Sequence, residues 1–201
     1  MANSASEVRF SELEHETKHS RIQVVLDLDG GSRRDIATGL GIFDHFLSQF
    51  AFYAGIDLGL KAESDLHIDD FHLVQDVGCA LGLALVESLG NSTAIEKSGV
   101  GHGVSGESLV MAAIEVQSKS FLGFDLEFRS DRVGLLATQS VPEFFRGFAS
   151  ASGSSLHLRY LAGQNDHLLI ESAFKGTGIA LAQACRRNDH HRSPKSIRNN
   201  A

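Results

Sequence analysis

The sequence predicts a duplicated α/β (α+β) sandwich, each half a sheet covered on one face by helices. An internal repeat is the first reason. DFHLVQDVGCALGLAL (70–85) set over DHLLIESAFKGTGIAL (166–181) places Asp70 on Asp166, Gly82 on Gly178, Ala84 on Ala180 and Leu85 on Leu181, an offset of 96 residues. Upstream, DHFLSQF (44–50) falls near PEFFRGF (142–148), with aromatic or aliphatic residues in matching places. The third reason is that strand-like and helix-like patterns recur in one order, β-β-α-β-α, in each half. One domain of 201 residues is expected, with half-repeats at about 7–95 and 108–187 and a basic tail at 188–201.

The elements follow from local chemistry. IQVVLDL (22–28) and IDLGLKA (56–62) alternate apolar and polar residues and read as strands. Between them Asp44 is expected to cap a helix that Gly55 ends, with Phe46, Leu47, Phe50 and Ala54 on one face. Asp69 or Asp70 then caps a longer helix that turns Val74, Val77, Leu81 and Leu85 inward and stops at Gly90. In the second half, AAIEVQS (112–118) and FLGFDLEF (121–128) are strands, and a helix opens at Pro142 and closes at Gly153. A strand at SLHLRYL (155–161) and a helix capped by Asp166 complete the unit. The glycine-rich GVGHGVSGE (99–107) has no P-loop lysine–hydroxyl pair, so it reads as a linker or active-site loop between halves.

Composition narrows the function classes. With 42% hydrophobic and 21% charged residues the chain reads as soluble and globular. Its net charge of −7 argues against nucleic acid or an anionic membrane as partner, since either calls for a basic stripe. The only basic concentration is the C-terminal RRNDHHRSPKSIRNNA, read as a solvated tail or as a lysine arm over a bound phosphate. Cys79 and Cys185 lie in apolar helical runs and read as small core residues. The first residues lack an apolar signal region and no run has the length of a membrane span, so a cytoplasmic setting is expected.

Ten histidines stand out, several at helix starts. His167 and Glu171 are four apart and share a helix face, a usual half-site for zinc, manganese or iron. His45 follows the expected capping aspartate, and His72 has Asp76 one turn on as a partner able to fix its tautomer. Spacing alone leaves each of these open to a plain surface or capping role.

TGLGIFDHFLSQF, DLHIDDFHLVQDVG, GSSLHLRYLAGQNDHLLIESAFKG and the early HET at 15–17 resemble the imidazoleglycerol-phosphate dehydratases of histidine biosynthesis, from about Arg9 to Lys195. The resemblance implies a duplicated α/β fold, a large hollow homo-oligomer and a pair of manganese ions at subunit interfaces. It implies two adjacent histidines and a glutamate three residues later in each half. Here the first copy reads Phe71, His72 and Gln75, and the second reads His167, Leu168 and Glu171. Glu143 stands where a histidine is expected, while its counterpart His45 is present.

These departures sort into two sets. Adjacent residues point about 100° apart around a helix, so the two histidines of one motif serve different metals. One site would then take His45, His72, His167 and Glu171, all present. The other would take positions 71, 75, 143 and 168, now Phe, Gln, Glu and Leu. The expectation is one metal per subunit, manganese by resemblance, with zinc and iron equally compatible with the donors.

In that family the substrate imidazole is held between the metals while a proton and then hydroxide leave its glycerol chain. The resemblance makes Glu16 the proton shuttle, Gln49 a substrate contact, and Lys175 and Lys195 phosphate ligands. Lys97 and Lys119 replace arginines on the phosphate, and Gly106 replaces an acidic residue. Glu143 or Gln75 would accept a hydrogen bond from the second ring nitrogen in place of a metal. Three functions fit: the dehydratase or a close one-metal variant of it, a lyase on another phosphorylated substrate, and a non-catalytic paralogue with a structural metal.

Overall fold

The computed structural model describes residues 8–31, 33–64, 70–90 and 94–188. Asp69 and Lys195 lie outside them, as does almost all of the basic tail. The first half comprises β1 (Phe10–Glu16), β2 (Ser20–Asp27), β3 (Arg34–Ala37), α1 (Gly41–Ala54), β4 (Asp57–Ser64) and α2 (Phe71–Leu89). The second comprises β5 (Ser98–Ser105), β6 (Ser108–Glu115), β7 (Phe121–Asp125), the short pair β8 (Arg132–Val133) and β9 (Leu136–Ala137), α3 (Val141–Ser152), β10 (Ser155–Ala162) and α4 (Asp166–Ala184).

Two four-stranded sheets result, ordered β1-β2-β4-β3 and β5-β6-β10-β7. In each, three strands are antiparallel and the edge pair, β3/β4 or β7/β10, is parallel. The topology therefore repeats. Helices α1 and α2 lie against the first sheet, α3 and α4 against the second. Across the middle, α1 packs on α4 and α2 on α3, so the four helices sit between the sheets. Seven fully buried phenylalanines, among them Phe46, Phe50, Phe144, Phe148 and Phe174, join the halves into one core. Phe46 and Phe144 both stack on Phe174, at 5.7 and 4.8 Å between centroids.

The first half is thus β-β-β-α-β-α, one strand more than expected, and the second adds to that order the short β8–β9 pair before α3. Strand β3 spans only four residues, too few for a periodic pattern to register. Strand β5 is a correction: the glycine-rich stretch is not a linker, and the second half begins near residue 98 rather than 108. Its residues alternate exposed and buried, but the inward positions Gly99, Gly101 and Gly103 carry no side chain to reveal it. They are glycine because α4 lies on the strand. A Cβ at Gly99, Gly101 or Gly103 would fall 2.0, 2.2 or 1.9 Å from the carbonyl oxygens of Ala180, Gly176 and Ser172. The helix crossings use the same device in both copies. Gly178 meets the Phe50 carbonyl, and Gly82 meets that of Phe148.

The helix ends differ from expectation at three aspartates. Leu40, not Asp44, is the N-cap of α1; Asp44 lies in the first turn and accepts from the Thr38 amide at 2.9 Å. Asp70 is the N-cap of α2 but makes no capping bond. Its carboxylate accepts from the Ala137 amide at 2.5 Å and the Ser140 hydroxyl at 2.8 Å, tying α2 to the lead-in of α3. Asn165 caps α4, accepting from the Leu168 amide at 3.2 Å. Asp166 instead holds the loop amides of Arg129 and Ser130. Asp70 and Asp166 are taken up by segments distant in sequence, and Asp44 by Thr38 in the lead-in to its own helix. Gly55 and Gly153 close α1 and α3 in left-handed conformations, as expected.

Both cysteines are free thiols. Cys185 is a core residue whose burial pushes its thiol up to about 12, and Cys79 is half-buried. By length and composition α2 passes as a membrane span, contrary to the reading of the sequence, yet most of it is buried inside the protein. An ionic clasp ties the start of the described residues to the segment that follows α4. Arg9 donates to the Cys185 carbonyl and to Asp29, and Arg187 reaches Asp29 at 2.8 Å. The Arg9 hydrogen bond, against a smaller desolvation effect, holds the Asp29 carboxyl at about 2 rather than 3.8.

Two outcomes follow. Gly103→Ala should destabilise the fold by about 1–3 kcal/mol, read by denaturant unfolding, because the added methyl forces α4 off β5. Asp29 has a depressed pKa, so its stabilisation is present above about 4 and is lost as pH falls toward 2. Asp29→Asn should remove that part of the acid-limb decline in melting temperature.

Candidate metal centre

The first turn of α4 presents His167, and the next turn presents Glu171 on the same face. Helix α1 crosses there and brings in His45. One ligand atom from each lies within 4.8 Å of the others, and among the described residues this is the one such group of three donors. His45 Nε2 is 3.6 Å from Glu171 Oε1, and His167 Nε2 is 4.0 Å from Oε2. The edge of Phe46 against the His167 ring, at 5.4 Å between centroids, sets the orientation of that imidazole. Both imidazoles keep 41% of their side chain exposed, while Glu171 is buried.

Glu171 is the centre of the electrostatics. Burial disfavours its charge, but the Ser105 hydroxyl donates to Oε2 at 2.5 Å and Lys175 to Oε1 at 2.9 Å. Those bonds and the adjacent positive charge outweigh burial, so the carboxyl sits below its ordinary value and is ionised at neutral pH. Two imidazoles and an ionised carboxylate suit a divalent transition metal. The donor set fits the group that the sequence resemblance implies.

Gln49 lies one turn along α1 from His45. Lys175 lies one turn beyond Glu171, with its ammonium 5.6 Å from the centre of the Tyr53 ring. Five of the expected residues, His45, Gln49, His167, Glu171 and Lys175, therefore gather where α1 crosses α4.

The others do not join them within one chain. His72 sits exposed at the start of α2, stacked on His19 at 4.3 Å between centroids. Asp76 is not its partner. That carboxylate accepts from the Thr17 and Ser20 hydroxyls at 2.8 and 2.7 Å, because the β1–β2 turn lies on the helix there. Glu16 points to solvent, 67% exposed and 4.0 Å from Arg21. Lys97 bonds through its backbone to Ala184, about 20 Å along α4 from Glu171 at 1.5 Å per residue. Lys119 lies beside the first residue of β10, at the end of that strand away from α4. No local sequence pattern singles out Ser105 or His19. Ser105 was hidden in a supposed loop, and His19 has no partner at helical spacing to draw attention to it.

The equivalent position where α2 crosses α3 does not fit a metal. Phe71, Gln75 and Glu143 stand there in place of His167, Glu171 and His45. Glu143 is bound by Arg146 through both carboxylate oxygens, at 3.3 and 3.1 Å. The helices close directly on each other. A Cβ at Gly147 would lie 2.4 Å from the Gln75 carbonyl, and one at Gly78 would lie 2.2 Å from that of Phe144. Leu168 lies against Gly106 instead.

Comparison with known proteins agrees with this architecture. The family description "Imidazoleglycerol-phosphate dehydratase" matches residues 38–181. The imidazoleglycerol-phosphate dehydratase of Cereibacter sphaeroides is 41% identical over 177 residues, 88% of this chain and 91% of that protein. The Clostridium botulinum enzyme is 38% identical over 188 residues, covering 94% and 96%. The crystal structure of the Pyrococcus furiosus protein, in complex with (S)-C348, superposes with a TM-score of 0.79 at 30% identity, covering 90% of this chain and 97% of that one. The Staphylococcus aureus structure gives 0.80 at 25% identity, covering 89% and 99%. The chain belongs to the imidazoleglycerol-phosphate dehydratase family, hydro-lyases of histidine biosynthesis.

Proposed function

We propose that this chain removes water from imidazole glycerol phosphate to give imidazole acetol phosphate, using one metal ion per subunit. The observation that carries the reading is the difference between its two helix crossings. His45, His167 and Glu171 converge at one, whereas at the other Glu143 is paired with Arg146 and the described residues form no such group of three donors. His72 completes the ligand set from a neighbouring copy in a homo-oligomer, since within one chain it lies at another helix start. Lys97 and Lys119 reach the phosphate in the same way. A divalent cation in this centre, manganese by family resemblance, would stabilise negative charge building on the substrate's ring.

This chain's residues supply the rest. Ser105 holds one oxygen of Glu171, which fixes the carboxylate's direction, and Lys175 places positive charge beside the other. Lys175 and Lys195 contact the substrate phosphate as point charges, and Gln49 contacts the substrate one turn from His45. Glu143 or Gln75 accepts a hydrogen bond from the ring nitrogen that no metal holds, a weaker electrostatic partner that makes for a slow enzyme. The reaction suits a cytoplasmic biosynthetic enzyme.

The test is metal analysis together with a dehydration assay on imidazole glycerol phosphate in manganese. One equivalent of metal per chain is expected, with turnover lost on chelation and in Glu171→Gln. Two equivalents per chain would sink the one-metal reading. A chain that retains its single metal and an intact oligomer but never turns over substrate is a scaffold. Glu143→Ala should abolish residual turnover without changing metal content; turnover that persists assigns the second ring nitrogen to Gln75.

A further inference from the structure

We propose that His19, in the turn between β1 and β2, transfers the proton in the dehydration; the inference rests on the reading above, in which His72 joins the metal centre. Strand alternation separates His19 from Glu16. Glu12, Glu14 and Glu16 share the exposed face of β1, where Arg21 reaches Glu14 at 3.2 Å and Glu16 at 4.0 Å. That face is turned away from α2. His19 lies past the strand end, where the chain folds over the start of α2, and its ring lies parallel to that of His72, at 4.3 Å and 10°.

The turn is built to hold that position. The Thr17 amide donates to the Ser20 carbonyl at 2.9 Å. The Thr17 and Ser20 hydroxyls both donate to one oxygen of Asp76, one turn of α2 beyond His72. The His19 amide donates to the Thr17 hydroxyl at 3.1 Å. Both ends of the turn are thereby pinned to the helix that carries His72. Among the described residues neither ring nitrogen of His19 has a hydrogen-bond partner. The matching hairpin of the second half carries Glu107, whose carboxylate is used by the amides of Gln164 and Asn165. Only the first hairpin offers a proton carrier beside a metal-site imidazole.

The step balances without a further reagent. A ring nitrogen of His19 takes the proton from the middle carbon of the glycerol chain. That C–H electron pair forms the carbon–carbon double bond to the carbon next to the imidazole as the C–O bond of that carbon breaks. The departing hydroxide takes the proton back from His19 and leaves as water, and the resulting enol tautomerises to the ketone.

Three variants, assayed as the full metal-loaded oligomer alongside wild type, test this. His19→Phe keeps a ring to stack on His72 but carries no proton, and should lower kcat about 10²–10⁴-fold with metal content unchanged. His19→Glu supplies a different proton carrier and should recover at least tenfold over His19→Phe. Wild-type kcat in His19→Phe, or a glutamate no better than phenylalanine, overturns the proposal. So does a His19→Phe loss that merely follows lost metal. A Glu16→Gln variant that falls further than His19→Phe also overturns it, returning the role to Glu16. An inactive wild type instead marks failure of the dehydratase reading.

Discussion

The direct contact between α4 and β5 is the constraint on which the candidate site depends. Three glycines at alternate strand positions let the helix backbone settle onto the strand, with Ser172, Gly176 and Ala180 over Gly103, Gly101 and Gly99. Ser172 is the neighbour of Glu171, and Ser105 is the next inward position after Gly103. The close approach therefore delivers the Ser105 hydroxyl to the Glu171 carboxylate. A side chain at Gly103 would push the helix away and weaken the bond that orients the Glu171 carboxylate. Packing and chemistry are coupled through one residue step.

The duplication shows how one scaffold carries two outcomes. Gly178 on Phe50 and Gly82 on Phe148 are equivalent crossings of equivalent helices. At the α1–α4 crossing the neighbouring positions bear Glu171, Lys175 and Gln49, with Phe174 filling the space beneath. At the α2–α3 crossing they bear Gln75, Cys79, Gly147 and Gly78, and backbone meets backbone. At the second crossing backbone contact stands where the first has donors, and Glu143 pairs with Arg146. Such an exposed i,i+3 pair adds little stability. The glycine contacts hold that crossing together.

Much of the site was legible in the sequence because its core is local. His167 and Glu171 share a helix face by their spacing, and the repeat pointed to His45 as the counterpart of position 143. Legibility failed where the deciding neighbour was distant. The spacing of His72 and Asp76 suggests a pair, but Asp76 answers Thr17 and Ser20, more than fifty residues earlier. Asp70 and Asp166 look like helix caps and instead hold loops of the second half. The alternation in β5 was invisible because glycine gives no hydrophobic signal.

The sequence by itself determined the repeat and the fold class, since periodicity and spacing report the geometry of single elements, and its resemblance to a known family pointed to His45, His167 and Glu171. Tertiary structure alone decided that His72 belongs to another corner of the chain. It decided too that the glycine-rich junction is a strand, and that His19 rather than Glu16 lies beside His72. Those are questions of which backbones approach each other. The answer is set by where glycines allow close contact and by which hydroxyls pin a turn to a helix, relations that no local pattern encodes.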